Sequence, residues 1–392
     1  MTNTIFPGLE RLRNALAQTR AEDLYRSRRR LDSPQGTTVT VDGEPLLSFC
    51  SNDYLGLAAD ARVRAAFVTA ANQYGVGSGA SHLVTGHMAP HHALEEELAE
   101  FVGAERALLF STGYMANLGV VSALLGRHDT VFEDKLNHAS LIDAARLSGA
   151  RVARIRHGDT TRLGKDLAEA AGEKMIVTDG VFSMDGDLAD VTALATLAAQ
   201  HQAWLLVDDA HGIGVHGPQG AGTLALHGIA PRAPVILLGT LGKAFGTFGA
   251  FVAGDADLIE FLIQRARTYI YTTALPPAVA AATLASLTIM HNEPERRVAL
   301  QARIAEFRAG ARQLGLSLLD SATPIQPVIF ASSAAALAAS AMLRECGILV
   351  PAIRPPTVPE GSNRLRVSVS AAHSAADVER LLTALATVPK SA

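Results

Sequence analysis

Three runs of the sequence place reactive side chains directly after an apolar segment. In AWLLVDDAHGIGVHG (203–217), five mostly apolar residues lead into Asp208, Asp209 and His211. A carboxylate at the end of a buried strand is costly unless a cation or donor meets it, and strand ends are where open α/β sheets bind ligands. An isolated Asp there would read as a turn cap; these residues have company. In VILLGTLGKAFGTFGAF (235–251), Lys243 is the only charged residue between Arg232 and Asp255. An amine buried among Gly, Thr, Ala and Phe loses basicity and suits Schiff-base chemistry with a carbonyl, and Thr240 offers a hydroxyl nearby. In LLFSTGYMANLGVVSAL (108–124), a strand ends at Phe110 and a helix opens after Ser111-Thr112-Gly113-Tyr114. Free N–H groups at such a start suit a phosphate, although many strand–helix turns look the same without one.

The elements that must position these groups are short apolar runs alternating with helical segments. Strands are expected at 106–110, 130–134, 151–155, 174–178, 203–207, 234–238 and 249–253, with helices such as 138–147, 161–171 and 191–202 between them. That alternation implies an α/β fold with a mainly parallel sheet covered on both faces. A Gly-rich stretch separates 203–207 from 234–238, so that crossover is unusual. After 275 come helices at 277–291, 295–313, 333–345 and 374–386, with strands near 325–330 and 364–369, a smaller α+β unit. The resulting division is an N-terminal helical arm with small strands (1–50), a large α/β domain (51–285) and a small C-terminal α+β domain (286–392).

Composition removes several classes. The chain has 392 residues and a net charge of −4, from 34 basic and 38 acidic residues, which excludes binding to nucleic acid by bulk charge. It is 48 % apolar, unlike a disordered chain. Its cysteines, Cys50 and Cys346, form neither a disulfide framework nor a CxxC pair. Residues 268–290 and 321–343 are uncharged and long enough to span a bilayer, but their prolines and polar residues read as turns and buried helices. MTNTIFPGLERLRNALAQTR is charged early and lacks an apolar signal core, so a cytoplasmic protein is expected, bound neither to membrane nor to nucleic acid. Gly212-x-Gly214-x-x-Gly217 matches a dinucleotide fingerprint, yet it opens no helix and no acidic residue follows before Asp255; nicotinamide binding is rejected.

A buried amine, a carboxylate at a strand end and an anion cradle together suit pyridoxal phosphate. The chain resembles the α-oxoamine synthase family of fold-type I pyridoxal-phosphate enzymes. The resemblance runs end to end, through SNDYLGL (51–57), ALEEELAEFVG (93–103), NHASLIDAA (137–145), GVFSMDGD (180–187), VDDAHGIG (207–214), GTLGKAFG (239–246), AIRPPTVPEG (352–361) and RLRVSVSAAH (364–373). It implies that Lys243 is the Schiff-base lysine, Asp208 the partner of the pyridinium nitrogen, His211 the partner of the ring hydroxyl, and His138 the residue stacked on the ring and polarising the new ketone. Ser183 and Thr240 correspond to side chains contacting the cofactor, and Gly113 and Tyr114 to the phosphate turn. Arg366 corresponds to the arginine holding the amino-acid carboxylate, and Arg26, Asn52 and Thr357 to substrate-binding positions. The implied reaction is the decarboxylative condensation of L-alanine with a pimeloyl thioester, carried on CoA or acyl carrier protein, in biotin synthesis. The implied assembly is a homodimer in which residues near Thr272 and Thr273 reach the neighbouring phosphate.

Three positions depart from the family pattern: His82 where relatives usually have Arg, Ile213 for a common Thr, and Ala274 for a common Ser. The last weakens the expected cross-subunit contact. His87, His91, His92 and Glu95 read as the solvated face of an acidic helix, and no metal is expected. The rival readings are a sister enzyme using glycine with acetyl-CoA or succinyl-CoA, which IRPPTVP at 353–359 disfavours, and a non-catalytic regulator, which would lack Lys243 or add a DNA-binding domain.

Overall fold

A computed structural model describes residues 6–22 and 24–389; the first five residues of the expected N-terminal arm and the last three of the C-terminal domain lie outside them. The described residues form thirteen strands: β1 (Thr38–Val41), β2 (Glu44–Ser48), β3 (Arg106–Phe110), β4 (Thr130–Asp134), β5 (Arg151–Ile155), β6 (Lys174–Asp179), β7 (Trp204–Asp208), β8 (Val235–Thr240), β9 (Ala250–Gly254), β10 (Ile325–Ile329), β11 (Ile348–Leu349), β12 (Ala352–Ile353) and β13 (Arg364–Ser368). Seven of them make the central sheet, in the order β3-β9-β8-β7-β6-β4-β5. Its pairs are parallel except at β9, which runs antiparallel to both β3 and β8.

The inner strands of the sheet are buried because they are largely apolar on both faces; the edge strand β5, with Arg151 and Arg154, is partly exposed. Along β7 and β8, Leu205, Val207, Val235 and Leu237 point into one apolar cluster, while Leu206, Ile236 and Leu238 point into another. The second cluster is closed by the helix Gly113–Leu124 through Ala116, Val120 and Val121. Thr112 caps that helix, its hydroxyl accepting the Met115 N–H at 3.1 Å. The Gly-rich crossover between β7 and β8 contains only a 3-10 turn (Pro218–Gly220) and a four-residue helix (Thr223–Leu226). A residue run without helical apolar period cannot build the usual long covering helix.

Two smaller sheets lie outside the central one. The first, β10-β13-β12, is antiparallel. The second joins β1 and β2 to β11, so Leu47 and Ser48 pair with Ile348 and Leu349 across three hundred residues of chain. Among the described residues no helix is long and apolar enough to cross a membrane.

Candidate active site

Strands β6, β7 and β8 end side by side, with Asp179 and Asp208 in register and Thr240 closing β8. Alternation along β7 sends Asp208 to the face of Leu206, under the helix Gly113–Leu124, and Asp209 to the opposite side. Asp208 is buried; its Oδ2 accepts Asn117 Nδ2–H at 2.7 Å and its Oδ1 the Ala210 N–H at 3.1 Å. Asp209 is fully buried and accepts the Thr223 N–H at 2.6 Å. Burial pushes its carboxyl up to about 7. Three glycines make room for it: a Cβ on Gly180, Gly212 or Gly222 would lie 2.5, 2.0 or 2.1 Å from an Asp209 carboxylate oxygen.

Lys243 stands at one end of a continuous hydrogen-bonded line. Its Nζ lies 2.9 Å from His211 Nε2; His211 Nδ1 lies 2.7 Å from the Tyr54 hydroxyl; that hydroxyl donates to Asn52 Oδ1 at 3.2 Å; and Asn52 Oδ1 accepts from the Arg366 guanidinium at 3.3 Å. Burial lowers the Lys243 amine to about 8, outweighing the Asp208 and Asp179 carboxylates that favour its charge. The same burial, with the Lys243 cation beside it, holds His211 well below the usual imidazole range. A neutral imidazole next to an amine that titrates near neutrality can exchange a proton with it.

A second line reaches Asp208 from the other side. His138 caps the helix Ala139–Ser148, its Nδ1 lying 2.7 Å from Ser140 Oγ. Asn117 Nδ2 donates to both that hydroxyl, at 2.8 Å, and Asp208. The His138 backbone N–H donates to Asp179 Oδ2 at 2.7 Å. Burial lowers the His138 imidazole and, with Asp208 nearby, raises the Asp179 carboxyl.

The two arginines of β13 are used differently. Arg364 is ion-paired with Asp185 and donates to the Met184 and Ser362 carbonyls at 2.9 Å. Arg366 is also buried, yet among the described residues it donates only to neutral oxygens: the Ser183 carbonyl at 2.7 Å, Ser368 Oγ at 2.8 Å and Asn52. Both grip the 182–187 turn. A third contact holds it: His157 Nε2 lies 2.8 Å from Asp187, while its Nδ1 lies 3.0 Å from Asp134 at the end of β4. The hydrogen bonds from both carboxylates raise that imidazole to about 10.

These contacts bring Lys243, His211, Asn52 and Arg366 into one group and His138 and Asp208 into its neighbour. Tyr54, Asn117, Ser140 and Asp179, none of them singled out in the sequence as a site residue, are the links. Thr240 hydrogen-bonds the Gly249 carbonyl at 3.1 Å, and Ser183 sits half-buried on the turn held by Arg366. Arg26 and Thr357 are exposed, and among the described residues neither side chain hydrogen-bonds to this group.

The donor set fits pyridoxal phosphate. It offers an amine of lowered basicity, a buried carboxylate with two neutral donors, and an anion cradle. The cradle is the opening of the twelve-residue helix Gly113–Leu124, where the Gly113 and Tyr114 N–H groups have no acceptor among the described residues. In the histidine stretch, His92 is exposed as a solvated face requires, but His91 corrects that expectation. His91 is fully buried, its Nε2 2.7 Å from the Leu275 carbonyl and its Nδ1 accepting the Met88 N–H at 2.9 Å. His82 is buried as well and stacks on Tyr269.

Residues 44–385 match the family model for aminotransferase class I and II. The 8-amino-7-oxononanoate synthase of Methylococcus capsulatus is 61 % identical over 97 % of this chain and 98 % of its own length. Among solved structures, the serine palmitoyltransferase of S. paucimobilis, determined with a bound pyridoxal-phosphate–myriocin aldimine, superposes with a TM-score of 0.91 at 28 % identity, covering 98 % of each chain. The 8-amino-7-oxononanoate synthase of Francisella tularensis gives a TM-score of 0.77 at 33 % identity, covering 87 % of this chain and 97 % of its own. The chain belongs to the aminotransferase class I and II family and, within it, to the 8-amino-7-oxononanoate synthases.

Proposed function

We propose that this chain joins L-alanine to a pimeloyl thioester with loss of carbon dioxide, forming 8-amino-7-oxononanoate with pyridoxal phosphate as cofactor. The observation that carries the reading is Arg366: a buried guanidinium hydrogen-bonded, among the described residues, only to neutral oxygens and tied through Asn52, Tyr54 and His211 to the Lys243 amine. A buried cation without an anion is costly, and an amino-acid carboxylate gripped by its parallel N–H groups would relieve that cost.

When bound, pyridoxal phosphate supplies an aldehyde for the amino group and a protonated ring that accepts the electron pair left at Cα. Lys243 and Asp208 would hold it, the amine toward its aldehyde and the carboxylate toward its ring nitrogen, with His211 toward the ring hydroxyl and His138 at the ring face. Gly113 and Tyr114 N–H would take the phosphate, with Ser183 and Thr240 beside the cofactor. Lys243, lowered to about 8, presents a useful fraction of neutral amine near neutrality and can take the proton from the alanine Cα. His211 and Tyr54 can share that proton along the line toward Asn52. Arg366 orients the alanine carboxylate, and His138, held by Ser140, can donate toward the new ketone oxygen. Arg26 and Thr357, both exposed, are assigned to the thioester substrate.

The finer assignments follow the same reading. Residues 51–285 would form the cofactor domain and 286–392 the smaller domain carrying Arg366; the pairing of β2 with β11 supports counting 38–48 with the latter. A homodimer is supported by the exposed apolar side chains Val76, Leu83, Val84 and Tyr271. They lie on two segments joined by the Ala274 N–H to Ala80 carbonyl bond at 3.0 Å, and Thr272 and Thr273 on the second would serve the neighbouring phosphate. Either CoA or acyl carrier protein would bring the acyl group, and two free cysteines suit a reducing cytoplasm.

The test offers purified, cofactor-loaded protein L-alanine, glycine or L-serine, each with pimeloyl-CoA, acetyl-CoA or palmitoyl-CoA, and weighs the products. The expected result is 8-amino-7-oxononanoate from L-alanine with pimeloyl-CoA, well above every other pair. Faster turnover of glycine with acetyl-CoA would overturn the assignment in favour of the sister enzyme.

A further inference from the structure

Residues 82–95 gather a second set of chemistry-bearing side chains, which no hydrogen bond among the described residues joins to Lys243, His211 or Asp208. The set is built by a π-helical turn at His82–Gly86 followed by the helix Ala89–Val102. The turn is pinned: a Cβ on Gly86 would lie 2.1 Å from the Ala80 carbonyl oxygen. It delivers His87 beside the first turns of the helix, where His92 and Glu95, three residues apart, share a face. One nitrogen of His87, one of His92 and one oxygen of Glu95 all lie within 4.8 Å of one another, and His87 Nε2 is 3.9 Å from Glu95 Oε2.

Two imidazoles and a carboxylate are a donor set that zinc accepts with one position left open, and magnesium, which prefers oxygen, does not. Metal–ligand bonds of about 2.0–2.2 Å bring tetrahedral ligand atoms to about 3.3–3.6 Å from each other. Closing the set therefore asks for about an ångström of movement, which exposed His92, now 3.4 Å from Glu96, can supply.

The other two ligands are already oriented from behind. His87 Nδ1 is engaged by His82 Nδ1 at 2.9 Å, which leaves Nε2 facing Glu95. Glu95 Oε1 takes the Leu109 N–H at 2.9 Å, which leaves Oε2 facing His87. The three ligands open on a cleft of about 630 Å³ also lined by Glu96, Glu100 and Glu105, against one arginine, Arg106. The cleft favours a cation and has room for water as the fourth ligand.

We propose that His87, His92 and Glu95 form a binding site for a divalent transition-metal ion of the zinc type, with His82 as the positioning residue for His87. The ion ties the 82–86 turn to the helix Ala89–Val102. His82 stacks on Tyr269 with ring centroids 4.9 Å apart, and His91 bonds the Leu275 carbonyl, so the bound ion also braces the segment 269–275.

The test uses cofactor-loaded protein stripped of metal with a chelator, then dialysed against zinc or magnesium chloride. Bound metal is counted and Tm recorded. One zinc per chain is expected, with a raised Tm and no competition from a large excess of magnesium. His92→Ala, at an exposed position, should leave Tm without metal unchanged and weaken zinc binding at least tenfold. His82→Ala should weaken it by about 10–100-fold. Unchanged zinc affinity in both His92→Ala and Glu95→Gln, or equal binding of magnesium, would overturn the proposal.

Discussion

His211 and His157 each make a hydrogen bond at both ring nitrogens, as His91 and His373 do, yet the first two end in opposite charge states. His211, between the Tyr54 hydroxyl and the Lys243 amine, is buried beside a cation and kept neutral. His157, between Asp134 and Asp187, is half-buried and held protonated, its pKa raised to about 10. The difference lies in the partners. Around the Lys243 amine the chain places an imidazole and a phenolic hydroxyl, which can pass a proton. Around the 182–187 turn it places full ion pairs, His157–Asp187 and Arg364–Asp185, which hold shape and pass nothing on. If that division is right, substitutions in the neutral line should abolish turnover, and those in the clamp should show first in stability.

The largest effect is expected at Lys243. On the proposed assignment Lys243→Ala removes both the amine for the cofactor aldehyde and the base at Cα, so turnover should fall by several orders of magnitude while the circular dichroism spectrum is retained. Borohydride reduction of the loaded protein followed by peptide mapping should place the cofactor on Lys243; recovery on another lysine would break the comparison at its root. Next comes the pair of aspartates. Asp208→Asn should bind cofactor yet lose most of its activity, since an amide cannot hold the ring nitrogen protonated. Asp209→Asn keeps an acceptor for the Thr223 N–H and should be much milder. Equal losses in kcat would show that the two faces of β7 are not separated as described.

Arg366→Lys is expected to weaken L-alanine binding by about one to two decades, the loss of a charge-assisted contact costing roughly 1.5–3 kcal/mol. A lysine cannot reproduce the paired N–H geometry. Alanine titrations followed through the visible cofactor absorption should show a shifted midpoint in Arg366→Lys from an unchanged starting spectrum. Arg364→Lys, whose partner is Asp185, should bind alanine normally and melt at lower temperature.

The smallest effect belongs to His157 and is a matter of pH. Its folded pKa is raised from 6.5 to about 10, so between these values the folded state binds more protons than the unfolded one, and stability falls as pH rises. The contribution is complete below pH 6.5 and gone above about 10. Denaturation midpoints of the wild type should therefore decline more steeply from pH 7 to 10 than those of His157→Gln. Parallel slopes would show that the clamp is not ionic.

Much of this was legible in the sequence. Every central-sheet strand lies within a residue or two of its apolar run; the inner strands, buried on both faces, are largely apolar. Lys243 and Asp208 stood out as charges in apolar surroundings. The links did not. Tyr54, Asn117, Ser140 and Asp179 come from four separate segments, and only the tertiary fold sets them beside Lys243 and Asp208. The histidines misled for a related reason: helical spacing placed His91 on a polar face, whereas the Leu275 carbonyl and the Met88 N–H satisfy its ring from outside the helix's own pattern. The antiparallel course of β9 was equally hidden, since strand direction leaves no mark on an apolar run.

The glycines around Asp209 bear on how this sequence can change. Gly180, Gly212 and Gly222 each give up the volume that one carboxyl group fills, so the four positions share a single small space. A methyl group at any of the glycines collides with Asp209 and should be rejected when introduced alone. Shortening Asp209 to serine or alanine should not by itself admit it: Thr223 atoms stand 2.7 and 2.8 Å from the Cβ positions of Gly180 and Gly212, and Gly222 holds φ +98° with Ile213 Cδ1 at 2.9 Å. In a library randomised at these four positions and at Thr223 and Ile213, viable sequences should replace Gly180 or Gly212 only together with smaller neighbours, and should keep Gly222. The identity of each residue would then be readable only jointly with its neighbours.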